Sequence, residues 1–250
     1  MDTPKKHRQV RYAGTGESEM RIVIIGLGGI GTHIVEPICR TLALEDPENG
    51  SNEKSIVLVD GDKYETKNRV RQKFLSQANK AEATKEWLEP LFPELSIETK
   101  PRFVDAKSIF LFVKDGDVVF LAVDNHATRK VVSNWAEKLK DVLIISGGNE
   151  EYDGNVQIYE RKGGKDLNAS LTKFHPEIEN PKDKNPAELS CQELAKLPSS
   201  RQILAVNLTI AAMMLNAFML RKVVKHSTEL YDEIYFDFFS GKTRGVKRPA

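Results

Sequence analysis

The chain is poor in cysteine: Cys39 and Cys191 are the only two in 250 residues. Two thiols so far apart make no disulfide framework. There is no Cys-x-x-Cys pair, so a four-cysteine zinc site within the chain is excluded. Charge of one sign is also lacking, since 37 basic side chains against 36 acidic ones leave a formal net charge of +1. That balance gives no electrostatic case for a nucleic acid or a membrane surface as partner. The basic groups near the two ends (Lys5, Lys6, Arg8, Arg11; Lys242, Arg244, Lys247, Arg248) read as solvated tails. The N-terminus lacks an apolar signal core, so export is not indicated and a cytoplasmic location is expected. One apolar run, Ile203 to Leu220, approaches membrane-spanning length. Asn207, Thr209 and Asn216 interrupt it, and Ser199-Ser200-Arg201-Gln202 precedes it as a helix start. A helix buried in a core or a dimer interface is expected there, not a membrane span.

Hydrophobic residues make up 40% of the chain, enough to bury the core of one large α/β domain spanning 1–250. Short β-branched runs at Arg21–Gly26, Ser55–Asp60, Asp117–Val123 and Val142–Ser146 read as buried parallel strands, with a weaker strand at Leu95–Lys100. Helical spacing falls between them, over Gly29–Leu44, Glu82–Leu91 and Arg129–Leu139. This alternation predicts a doubly wound, mostly parallel Rossmann-like α/β sheet. After Gly147-Gly148 the pattern changes. Asn155–Tyr159 reads as one more strand, closing a nucleotide-binding core over 1–160. Residues 161–200 are rich in Lys, Asp, Asn and Pro with little periodicity, as functional or mobile segments are. In the remaining 201–250 the apolar helix leads to antiparallel strands at Glu233–Phe239 and Thr243–Lys247, turning at Ser240-Gly241-Lys242.

The first strand ends in Gly26-Leu27-Gly28-Gly29-Ile30-Gly31. Glycines there let the backbone turn tightly and approach a phosphate, and the adjoining helix offers free N–H groups and partial positive charge. By itself this pattern indicates a dinucleotide such as NAD or FAD. The second strand ends in Asp60-Gly61-Asp62, whose carboxylates can reach a ribose. The next residues depart from the dinucleotide pattern: Lys67-Asn68-Arg69-Val70-Arg71-Gln72, then Lys80 before a helix. A dinucleotide enzyme has no need of cations stacked here. A nucleoside triphosphate does, because pyrophosphate leaves with growing negative charge that Arg and Lys stabilise. Asp124-Asn125 close the fourth strand at the crevice mouth, where a carboxylate facing phosphates suits magnesium. Arg129 and Asn134, on the next helix, read as capping and packing.

Taken in order, these motifs resemble the ThiF/MoeB/ubiquitin-activating-enzyme superfamily from about residue 20 to 160, with a weaker echo to the terminal strands. The resemblance implies ATP with Mg²⁺ as cofactors and assigns roles. Gly26, Gly28, Gly29 and Gly31 would hold phosphates, and Asp60, with Asp62, would bind ribose. Asn68, Arg71, Gln72 and Lys80 would contact the triphosphate. Asp124 would hold magnesium near the α-phosphate, with Asn125 beside it, and Arg129 matches the arginine that follows this pair in the family. Two departures stand out: Lys67 replaces the family's serine, and the short spacing after Arg71 leaves Lys85 as an alternative to Lys80. Arg8-Gln9 matches the family's N-terminal Arg-Gln, whose arginine reaches the partner subunit's ATP site.

Adenylation itself needs no cysteine. An acyl acceptor in a second step would, and Cys191 lies where family members carry theirs. The alternative for Cys191 is an incidental surface thiol, with His126 and His175 as the nearest candidate bases. Cys39, in mid-helix, reads as a core residue. The absence of the family's zinc-binding pairs and the short length favour a compact homodimer. The expected activity is adenylation of the C-terminal carboxylate of a small ubiquitin-like protein, with a thioester on Cys191 and a conjugating enzyme as a possible downstream partner. The competing readings are adenylation of a peptide or a tRNA-modification intermediate, an NAD-dependent Rossmann oxidoreductase, and a scaffold that has lost its chemistry.

Overall fold

The computed structural model describes residues 19–43, 53–194, 203–224 and 229–250. A single nine-stranded sheet forms its centre. The strands are β1 (Glu19–Ile25), β2 (Glu53–Val59), β3 (Ser96–Lys100), β4 (Val118–Leu121), β5 (Val142–Asn149), β6 (Asp153–Lys162), β7 (Lys165–Asp166), β8 (Glu233–Asp237) and β9 (Lys242–Val246). The helices are α1 (Gly31–Ala43), α2 (Lys80–Leu88), α3 (Ile109–Phe112), α4 (His126–Ala136), α5 (Pro176–Glu179), α6 (Cys191–Leu194) and α7 (Leu204–Phe218).

The strand order is β3-β2-β1-β4-β5-β6-β8-β9, with β7 paired only to β6. The first five strands along this path are parallel, and β6, β8 and β9 continue the sheet antiparallel. Burial on both faces explains why the parallel strands read as unbroken apolar runs. In β1, Ile22 and Ile24 pack on one side with α1 and α7, while Val23 and Ile25 pack on the other with Phe112 and Val132 of α3 and α4. Each such fully buried aliphatic side chain contributes roughly 1.5–3 kcal/mol.

The chain runs outward from β1 to β2 and β3, then returns to pair β4 on the other side of β1, in the register Ile25↔Leu121. Loops leaving the C-terminal ends of β1 and β4 therefore diverge and leave a crevice between them, where ligands of open α/β sheets bind.

Leu204–Val223 is long and apolar enough to cross a membrane by length and composition. Here Val206, Ile210, Met214 and Phe218 are buried in the core. Asn207 is fully buried and accepts from Asn149 Nδ2 at 2.8 Å, so the polar interruption in the run marks a side chain tied to the sheet. The opposite flank leaves Leu204 and Leu208 exposed.

The segment beginning at 161 is more anchored than its composition suggests. β6 continues to Lys162, Leu171 and Ile178 are buried in the second core cluster, and Asn185 Nδ2 donates to the Val104 carbonyl at 3.0 Å. Its contacts come from single side chains spaced irregularly, so no periodicity announces them.

Candidate functional site: a crevice at the strand switch point

The glycine loop takes its shape from two close approaches. Gly26 has φ +91°, and a Cβ there would lie 2.8 Å from the Ala122 carbonyl. A Cβ on Gly31 would lie 1.9 Å from the Gly26 oxygen. A side chain at Gly26 would push the loop off the end of β4, and one at Gly31 would force the start of α1 away from the loop. Gly28 differs, since a Cβ there would meet only the Gln72 amide, at 4.0 Å, and so its face opens to the crevice.

Asp60 holds this loop. One carboxylate oxygen accepts from Leu27 N at 2.7 Å and the other from Asp62 N at 2.8 Å. Burial pushes its pKa up, against the lowering effect of Lys80 and the two N–H donors. The Lys80 side chain is nine-tenths buried and pairs with Asp62 at 2.7 Å. Burial disfavours its ammonium, but the Asp60 and Asp62 carboxylates outweigh this and raise its pKa. Asn79 joins the parts by capping α2 through Ala81 N and donating to the carbonyls of Asp60 and Asp62.

The basic cluster is fastened to the first turn of α1. The Thr32 hydroxyl donates to the Lys73 carbonyl at 2.7 Å and accepts from Lys73 N at 3.1 Å, while His33 Nε2 lies 3.1 Å from the Arg71 carbonyl. A 3₁₀ turn at Thr66–Asn68 leads into it. Asn68 is buried and accepts from Arg71 Nη2 at 3.3 Å. Gln72 is also buried, and its Oε1 has no partner among the described residues. Tyr64, stacked on Phe74 at 4.6 Å, donates from its hydroxyl to the Leu27 carbonyl. No local pattern singles out Tyr64, because its role depends on a contact made 37 residues away.

Across the crevice, Asp124 is exposed at the end of β4. Asn125 caps α4, accepting from Thr128 N at 2.8 Å. Asp183, from the polar segment, also sits on this helix end and accepts from His126 N at 2.7 Å and Ala127 N at 3.0 Å. Composition gives no hint of this, since any acidic residue in that stretch would read alike. His175 lies between Glu233 (2.6 Å) and Glu177 (3.0 Å). Burial works against its protonation, but the two carboxylates prevail and raise its pKa.

One cavity of about 1280 Å³ gathers Gly26, Gly28, Gly29, Asp60, Asp62, Asn68, Arg71, Gln72, Lys80, Asp124 and Asn125. Gly31 is not on its wall and instead closes the loop from behind. Lys80 lines it, whereas Lys85 does not and lies 3.5 Å from Glu89. Lys67 reaches the rim but pairs with Glu65 at 2.6 Å. His126, Glu177, Pro186 and Leu194 form further wall, and the β5–β6 turn and the β8–β9 hairpin enclose the far end. Cys191 begins α6, but its side chain lies outside the described residues, as does the whole of Arg8. Cys39 is buried in α1, and burial pushes its thiol up to about 12, which leaves it no nucleophilic character.

The open face at Gly28, the Gln72 amide nitrogen turned toward it and the cationic wall fit a phosphate chain. Among the described residues there is no cluster of three or more metal-ligating groups. A lone carboxylate at Asp124 still suits magnesium, which takes one or two protein carboxylates and completes its shell with phosphates and water.

Fold and crevice together define a Rossmann-like nucleotide-binding protein. The ThiF family matches the chain over residues 14–248, and the chain belongs to that family. Adenylyltransferase and sulfurtransferase UBA4 of Candida glabrata is 27% identical over 152 residues, covering 56% of this chain and 33% of that protein. Sulfur carrier protein ThiS adenylyltransferase of Bacillus subtilis is 28% identical over 148 residues, covering 54% and 41%. The chain thus matches between a third and two-fifths of the length of these relatives. Among solved structures, E. coli MccB with ATP superposes with a TM-score of 0.66 at 18% identity, over 93% of this chain and 65% of that one.

Proposed function

We propose that the crevice binds ATP with Mg²⁺ and adenylates a carboxylate, the acyl substrate being the C-terminus of a small ubiquitin-like protein. The observation that carries this reading is the meeting of Asn68, Arg71 and Lys80 with the glycine loop on one wall and Asp124 on the other. That cationic wall matches the charge of a triphosphate and of departing pyrophosphate better than the single pyrophosphate of NAD. The substrate carboxylate attacks the α-phosphorus to give an acyl-adenylate, and pyrophosphate leaves. Arg71 and Lys80 stabilise the charge on the departing group, and Asp124 would hold a magnesium ion, which would supply charge neutralisation of the phosphate oxygens. Asp60 ties down the glycine loop and presents its carboxylate to the ribose.

Cys191, eight residues beyond Asp183 in the segment that walls the crevice, is the proposed acceptor of the acyl group: its thiolate displaces AMP from the acyl-adenylate to form a thioester. Two copies are proposed to pair through the exposed flank of α7.

Pyrophosphate–ATP exchange tests the reading, with a small ubiquitin-like protein ending in Gly-Gly as acyl substrate. Exchange lost in Asp124→Ala but kept in Cys191→Ala supports it and separates the two steps. Thermal stabilisation by NAD and none by ATP refutes it. Exchange with a short peptide in place of the folded protein would move the substrate to the peptide class.

A further inference from the structure

Arg129 is 5% exposed and lies on the cavity wall. It sits one turn into α4, and its side chain reaches back toward the helix start, as helical side chains do. Nη2 donates both to the Val123 carbonyl and to the Gly147 carbonyl, each at 2.8 Å. Nη1 donates to Ser146 Oγ at 3.1 Å. One guanidinium therefore joins the end of β4 to the end of β5, and Val123 immediately precedes Asp124. Gly148 makes room for it, since a Cβ there would lie 2.9 Å from Nη2.

The charge is unusual as well as the bonding. No carboxylate among the described residues lies within ion-pair distance of this guanidinium, and its Nε is buried without a partner. Burial lowers its pKa to about 10, against the attraction of Asp124, Asp183 and Glu177. A buried, unpaired cation is costly and needs a reason. Packing does not supply one, because an aliphatic side chain would fill the same space without that cost.

We infer that Arg129 is the positioning residue of the crevice: by clamping the Val123 carbonyl to the end of β5, it fixes the Asp124 carboxylate for the metal–triphosphate complex. Its charge adds positive potential where that anionic complex lies. The inference rests on the ATP·Mg²⁺ reading above and assigns Arg129 no contact with the reacting atoms. Residues that hold a metal ligand from behind typically contribute roughly 10–100-fold to metal affinity.

The experiment measures ATP affinity with Mg²⁺ and with EDTA, and takes the ratio, for wild type, Arg129→Met and Arg129→Lys. Asp124→Ala sets the value for full loss of the metal. Lysine keeps the charge but cannot reach both carbonyls and the serine together, so both variants are expected to lose about tenfold or more of the Mg²⁺-linked gain. Metal-free ATP affinity should change less. A purely structural role would lower melting temperature and leave the ratio intact, and a wild-type ratio in a folded variant overturns the inference. If Arg129→Met does not fold, the Arg129→Lys ratio decides by the same criterion. A wild-type protein that binds no ATP refutes the proposed function instead, so the two failures are distinguishable.

Discussion

Asp60→Asn separates the contribution of a buried, two-handed carboxylate from that of the exposed one beside it. Asp60 accepts two backbone N–H bonds, from Leu27 and Asp62, and is 9% exposed. Asparagine keeps one acceptor oxygen and turns an NH₂ group toward the other donor. One charge-assisted bond is lost, at roughly 1.5–3 kcal/mol, and one buried N–H is left unsatisfied. Part of this is offset, because the neutral amide avoids the burial cost that raises the Asp60 pKa. The net expectation is about 1–3 kcal/mol of lost stability. Asp62 is the natural control: its side chain is 54% exposed, so its pair with Lys80 is screened, and Asp62→Asn should cost less than about 1 kcal/mol. Urea unfolding followed by the fluorescence of Trp87 and Trp135 reads both. ATP titration of the folded variants then shows whether a loosened glycine loop weakens binding, about tenfold for each 1.4 kcal/mol. Asp60→Asn with wild-type stability, or Asp62→Asn the more damaging of the two, would refute the reasoning.

Three further outcomes are expected. Lys80→Met should weaken ATP binding by about tenfold or more while Lys85→Met leaves it unchanged, because only Lys80 lines the cavity; equal effects in a filter-binding assay would reverse the assignment. The raised His175 pKa gives a stabilising contribution that is full below the unfolded value near 6.5 and is lost as pH rises through the folded pKa; melting temperature measured from about pH 6 upward should fall more steeply in wild type than in His175→Gln, and parallel curves would contradict this. Leu208→Glu, on the exposed flank of α7, should halve the mass seen by light scattering if two copies pair there; an unchanged mass rules out that face.

Much of the architecture is legible in the sequence because both faces of the parallel sheet are buried, which forces unbroken apolar runs such as Ile22–Ile25 and Val118–Leu121. The glycine loop and the cationic cluster are legible for a related reason: each needs particular residue types within a few positions. Choosing between Lys80 and Lys85 requires the structure, since it depends on which side of α2 faces Asp62. Arg129 is marked in the sequence by the family's motif, but what it clamps is not, because its partners lie on the ends of two strands. Asp183 and Glu177 carry no signal, since their places follow from Leu171 and Ile178 entering the second core cluster.

The roof and the floor of the crevice share one helix end. Asp183 occupies the amides of His126 and Ala127, two and three residues from Asp124. A movement that lifts the 176–190 segment withdraws a negative charge and frees two N–H groups at the positive end of α4 in the same step. An anion arriving at that helix end would compete with the Asp183 carboxylate for the same two amides.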